Sequence, residues 1–209
     1  MGLRKRVSDA LYQVGPGRYY QPTYRRIAET FSIPKGVLLD LGCGPGWVSV
    51  RMAERESELS VVGIDHSREM VAAARRNGGH IDNLRFDEMD AARMTLQSDT
   101  IDRVIAVQTA HHWVDPDAVL AEVARVLKPA GRLLLLEADR HMPTVPSGWI
   151  ERSRVMWPPD VVVKKGWRRF GMDDQEWATM TERVHNAGMA VVRDSSFGFY
   201  RCMEVRCGR

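Results

Sequence analysis

The chain has 209 residues, 44% of them hydrophobic and 27% charged, with a formal net charge of +3. These proportions suit one sizeable globular domain and exclude a long disordered tract, and so weak a basic excess does not by itself call for nucleic acid. No apolar run approaches the ~18 residues of a membrane span, and the charged opening MGLRKRVSDA leads into no apolar segment of the secretory kind.

The first 33 residues carry Tyr12, Tyr19, Tyr20 and Tyr24 around a Gly-Pro-Gly turn at 15–17. A helix is expected from about Thr23 to Phe31, closed by Pro34-Lys35-Gly36. Strands and helices then alternate. Val37 to Leu41 reads as a buried strand, Trp47 to Arg55 as a helix, and Val61 to Asp65 as a second strand. Ser67 can cap a helix running through Asn77, with Glu69 favourably placed in its first turn and Gly78-Gly79 at its end. Leu84 to Met89 and Ile101 to Gln108 read as the third and fourth strands. Asp115 and Pro116 make a cap and first position for a helix with Val119, Val123 and Val126 on one side. Lys128-Pro129-Ala130-Gly131 stops that helix, and Arg132 to Glu137 is the fifth strand.

Apolar strands separated by helices imply parallel pairing, right-handed crossovers and a sheet covered on both faces. The end of the chain differs. After a helix at about Asp174 to Ala187, two strand-like runs in 190–206 flank Gly198 with no helix between them, so they should pair antiparallel. Residues 141–173, with four prolines and three tryptophans (Trp149, Trp157, Trp167), read as a loop-rich insertion. One domain is expected: a lid and helix (1–33), a ligand-binding core (34–140), the insertion (141–173), and a C-terminal helix and hairpin (174–209).

The most informative stretch is VLLDLGCGPGW, residues 37–47. A glycine-rich turn between strand and helix lets backbone N–H groups come close to a ligand. The spacing is not the G-x-G-x-x-G of dinucleotide folds, because tryptophan stands at 47 where the last glycine belongs. Asp40 before the turn would repel a pyrophosphate and suits an ammonium group. Asp65, at the end of the second strand, can take both hydroxyls of a ribose. Asp90, after the third, can accept from an adenine amine. An aminoacyl-type nucleoside would satisfy all three.

With these residues in place, VLLDLGCGPGW, VVGIDHS, the Asp90-Ala91 pair, AHHW and VLKPAGRLLLLE resemble the successive motifs of class I S-adenosylmethionine-dependent methyltransferases. The resemblance covers roughly residues 30 to 140 and is nearest the small-molecule group that includes the ubiquinone-biosynthesis type. It implies an α/β doubly wound, mostly parallel seven-stranded sheet of Rossmann-like kind, its seventh strand antiparallel between the fifth and sixth. It implies S-adenosyl-L-methionine as cofactor and S-adenosyl-L-homocysteine as product. By position, Gly42, Gly44 and Gly46 would pass beneath the methionyl part and Asp40 would address its amino group. Asp65 would hold the ribose, and His66 and Met70 would flank the adenine. Asp90 and the Ala91 N–H would meet the adenine edge, and Gln108 would sit near the reacting methyl. The expected partner is a small-molecule acceptor in the cytoplasm. Where that acceptor must lose a proton, His112 is the expected base.

Plainer readings stand beside these. Asp65 also suits a helix cap, Asp87 and Glu88 compete with Asp90, and Met70 suits a core position. His111-His112-Trp113 also reads as a helix-start turn. His111, His112 and His141 have no acid cluster at ligand spacing, so no metal is expected. Cys43 suits small-residue packing, while Cys202 and Cys207 would point to opposite faces of a strand, so no disulfide framework and no arsenic-methylating cysteine set are expected. The run Lys164-Lys165-Gly166-Trp167-Arg168-Arg169 leaves an RNA-methylating alternative, which the commoner solvated loop outweighs. A cofactor-binding subunit or sensor without activity of its own is the other alternative.

Overall fold

The computed structural model of the protein describes residues 20–141 and 171–208. Tyr12, Tyr19, most of the expected insertion and the basic run at 164–169 lie outside the described residues. In chain order the elements are α1 (Gln21–Phe31), β1 (Lys35–Leu41), α2 (Trp47–Arg55), β2 (Glu58–Asp65), α3 (Arg68–Gly78), β3 (Leu84–Glu88), β4 (Ile101–Val107), a 3₁₀ turn (Ala110–His112), α4 (Pro116–Val126), β5 (Leu127–Ala138), α5 (Asp174–Asn186), β6 (Met189–Phe197) and β7 (Tyr200–Cys207). The strands form a seven-stranded sheet in the order β3-β2-β1-β4-β5-β7-β6. The pairs β1–β2, β2–β3 and β4–β5 are parallel, and β7 runs antiparallel to both β5 and β6. The mostly parallel Rossmann-like architecture and the position of the antiparallel strand are those the motifs implied.

The chain divides into two compact units, one holding the described residues up to Asp90, the other those from Ala91 onward. In the first, Leu38, Leu39 and Leu41 of β1 and Leu59 and Ile64 of β2 are fully buried. Burying each such side chain contributes roughly 1.5–3 kcal/mol. Phe86 on β3 decides where glycine is needed. A Cβ on Gly46 or on Gly63 would lie 2.6 Å from the Phe86 ring, and one on Gly78 would lie 2.6 Å from Val50 and 3.3 Å from that ring. Three glycines from a loop, a strand and a helix thus make room for one aromatic side chain.

Two boundaries differ from expectation in this unit. Lys35 and Gly36, read as a helix stop, pair with Glu58 and Leu59, so β1 and β2 both begin earlier. α1 ends at Phe31 as expected, with Ser32 extended at its C-cap, and opens two residues earlier, at Gln21.

In the second unit, Leu133 to Leu136 of β5 are buried between β4 and β7. The segment 128–131, expected as the stop of the preceding helix, lies within β5. Leu127 pairs with Ile101, then the register jumps to Arg132 opposite Arg103. Beside the bulge, Lys128 Nζ meets both oxygens of Asp102 at 2.8 Å. Asp115 caps α4 through the Ala118 N–H, and Pro116 opens that helix. Asp173 and Glu176 form a reciprocal capping box on α5. Gly198, at φ 63°, turns the β6–β7 hairpin.

Candidate functional site

The turn after β1 is pinned to the end of β2. The N–H groups of Gly42 and Cys43 both donate to the Ile64 carbonyl, at 2.8 and 2.9 Å. Gly42, Gly44 and Gly46 all take positive φ, at 71°, 52° and 79°. Gly44 and Gly46 need glycine for different reasons. A Cβ on Gly44 would meet nothing within 4 Å, so there the backbone conformation alone favours glycine. Gly46 has both the conformation and the Phe86 clash. Gly46 also opens α2 with no side-chain cap.

Asp65 joins this turn to the next one. Its Oδ2 accepts the Gly44 N–H at 2.9 Å and its Oδ1 accepts the Ser67 N–H at 2.8 Å. The helix cap itself is Ser67, whose hydroxyl accepts from the Met70 N–H. Asp65 therefore does not serve as the cap that its position also suggested. Each of its oxygens keeps a further lone pair, and the side chain is 11% exposed, enough for a ligand hydroxyl to reach. His66 stands largely exposed beside it, with Nδ1 3.6 Å from Oδ1. Met70 is half-buried on the first turn of α3. Asp90 is exposed two residues beyond the end of β3. Its rival Asp87 is taken up by Arg85 and Arg75.

Asp40 is buried, 2% exposed, and accepts a 2.5 Å hydrogen bond from the Ser49 hydroxyl. Burial pushes its carboxyl up to about 6, the Ser49 hydrogen bonds pull it back, and the charge of Asp65 adds a smaller upward push. The same burial, with Asp40 and Asp65 beside it, drives the Cys43 thiol well above its ordinary range, which makes it a packing group and not a nucleophile. Asp40, the glycine turn, Asp65, His66, Met70 and Asp90 all belong to the first unit. Ala91 and Gln108 belong to the second. Gln108 sits at φ 51°, rare outside glycine, with its N–H donating to the Leu136 carbonyl at 2.8 Å.

The second unit holds an acid that no motif singles out. Glu137 is fully buried at the end of β5. One oxygen accepts the Ala110 N–H at 2.6 Å and the other lies 2.8 Å from Nδ1 of His111. His112, the expected base, is exposed beside it, the two imidazole centroids 3.9 Å apart. Both histidines line a cavity of about 580 Å³ with Ala110, Arg140, Met172 and Met180. The signal for Glu137 was present in the sequence: an acid that follows four leucines without a break is an acid at a buried strand end.

Among the described residues there is no group of three or more His, Cys, Asp or Glu side chains placed to hold a metal. Among them no helix is long and apolar enough to cross a membrane.

Residues 39–135 match a family model described as "Methyltransferase domain". Methyltransferase GfsG of Streptomyces halstedii is 37% identical over 103 residues, which cover 48% of this chain and 37% of that protein. The chain spans 37% to 42% of the length of the first curated relatives that it matches. Among solved structures, a SAM-dependent methyltransferase from Aquifex aeolicus is similar at TM-score 0.64 and 21% identity, covering 96% of this chain and 94% of that one. The [4+2]-cyclase SpnF is similar at TM-score 0.66 and 19% identity, covering 88% and 80%. The structural likenesses show the fold. Residues 39–135, just under half of the chain, carry the likeness to the methyltransferase domain.

Proposed function

We propose that the protein transfers a methyl group from S-adenosylmethionine to a small organic acceptor and releases S-adenosylhomocysteine. The observation that carries this reading is Asp65: a nearly buried carboxylate at a strand end, hydrogen-bonded to the glycine turn and still able to accept. The donor set suits the cofactor's chemistry. A ribose offers two hydroxyls to one carboxylate, the open side of Gly44 leaves room for the methionyl chain, and Asp40 supplies negative charge near an ammonium group. His66 and Met70 would flank the adenine, Asp90 and Ala91 would meet its edge, and Gln108 would face the acceptor side.

Bound cofactor supplies a sulfonium methyl that is already activated. The protein's part is to hold an acceptor in line behind it with little water present. The small-molecule assignment, and its nearest group of the ubiquinone-biosynthesis type, follow the motif resemblance, and we assign the activity to the cytoplasm. Incubating the protein with methyl-labelled cofactor and a fractionated whole-cell extract should move label into small organic acceptors. Label found only in RNA would redirect the reading to nucleic acid. Because a fold does not by itself fix a chemistry, a second reading is that the chain binds the cofactor without transferring its methyl, as a subunit or sensor. Tight S-adenosylhomocysteine binding with no label transferred to any fraction would be its signature.

A further inference from the structure

Glu137 is a charged side chain where the sheet itself has no use for charge. It is 0% exposed and follows Leu133 to Leu136, all buried. Such a group is costly to bury unless its oxygens are engaged, and both are: Oε1 by the Ala110 N–H, Oε2 by His111 Nδ1. The parallel pairing of β4 and β5 produces this meeting, since it sets the turn after Val107 beside the end of β5. With Glu137 as a carboxylate, which only accepts, His111 would carry its hydrogen on Nδ1 and have Nε2 as its basic nitrogen. The His111 side chain is 17% exposed, shielded from bulk water yet lining the cavity of the second unit.

We propose that His111, oriented by Glu137, takes the proton from an acceptor that carries an ionisable hydroxyl, a phenol or an enol, bound in that cavity. This rests on the methyl-transfer reading above and replaces His112 with its neighbour as the base. An imidazole helps only an acceptor that has a proton to lose, which sets tertiary amines and thioethers aside. Ala110, Pro116, Met172 and Met180 give the cavity an apolar wall for a flat organic body. Its two arginines are engaged, Arg140 with Asp173 and Glu176 and Arg183 with Asp117, so they do not form a polyanion site. As the hydroxyl oxygen bonds to the methyl carbon and the carbon–sulfur bond breaks, the hydroxyl proton passes to Nε2. The products are the methyl ether, a neutral thioether and an imidazolium balanced by Glu137. His111 is then a catalytic residue and Glu137 a positioning residue. The charged and titratable groups facing the imidazole across the cavity are Glu137 from β5, His112 from the same turn, Arg140 after β5, and Glu176 and Arg183 from α5.

The test uses 4-nitrophenol as the acceptor probe and the absorbance of its phenolate as the readout. In the wild-type protein the bound probe should ionise about one pH unit below the free probe, a tenfold shift in its equilibrium. Glu137→Gln and His111→Asn should each return it to the free value. Nitrogen-15 NMR should find neutral His111 protonated on Nδ1 in the wild type and on Nε2 in Glu137→Gln, whose amide can donate to Nδ1. A merely structural Glu137 would not move that tautomer. If Glu137→Gln fails to fold, His111→Asn still decides the ionisation arm. No saturable probe binding, an equal shift in wild type and variants, or a wild-type hydrogen on Nε2 would overturn the proposal. S-adenosylhomocysteine affinity in the same samples separates the two readings. An absent probe effect with normal affinity sinks the base alone, whereas a present probe effect without cofactor binding sinks methyl transfer.

Discussion

Asp65 and Glu137 both end a strand as carboxylates and both hold the N–H groups of a neighbouring turn, yet they do opposite work. Asp65 keeps a little exposure and spare lone pairs, and the groups it holds are backbone N–H groups of two loops. Glu137 has no exposure, and one of its partners is the imidazole side chain of His111. The first acid shapes a cradle and can itself meet a ligand. The second gives its whole capacity to the protein and can act only through His111. Burial at a strand end therefore separates a carboxylate with accepting capacity to spare from one whose capacity is spent on the protein.

The sharpest break of this comparison is a stability measurement. Glu137→Ala leaves the Ala110 N–H and the His111 ring without their buried acceptor, and each such orphan costs about 1–3 kcal/mol. Urea unfolding should show a loss of roughly 2–4 kcal/mol, and a loss within the ~0.5 kcal/mol of an ordinary surface change would deny Glu137 its role.

Asp40 comes next. Its carboxyl is raised from 3.8 to about 6, so the folded state binds this proton more tightly than the unfolded chain does. Its contribution to stability is therefore full below about pH 4 and is lost as pH rises through about 6. Asp40→Asn should remove that loss, stabilising the protein at neutral pH by an amount on the order of 2–3 kcal/mol while weakening S-adenosylhomocysteine. Urea unfolding at acid and neutral pH, with and without the substitution, checks both the size and the sign. A destabilised Asp40→Asn at neutral pH would contradict the account.

Ser67→Ala is the smallest test. It removes the α3 cap, which should cost about 1 kcal/mol and leave cofactor affinity nearly unchanged. A large loss of affinity would mean that the turn after β2 works through its cap and not through Asp65.

Much of the first unit was legible in the sequence. The bounds of α2, the Ser67 cap and the three left-handed glycines all follow from local chemistry: a bare turn, a small hydroxyl residue, an apolar period. The roles of Gly63 and Gly78 were not legible, because their reason is the Phe86 ring, brought to them by strand pairing. The early start of β5 was hidden behind Pro129 and Gly131, which read as a helix stop but lie within the strand at a register shift. Which of His111 and His112 meets the buried acid could not be read from two adjacent letters. It needed the 3₁₀ turn, which presents the Nδ1 of one of them to Glu137.

The central claim is that Asp65 is a ligand carboxylate, and titration calorimetry with S-adenosylhomocysteine tests it most directly. Folded wild-type protein should bind one equivalent, and Asp65→Ala should bind more than about tenfold more weakly, a loss of at least ~1.4 kcal/mol. No heat from the folded wild type, or equal affinity in the two proteins, would contradict it.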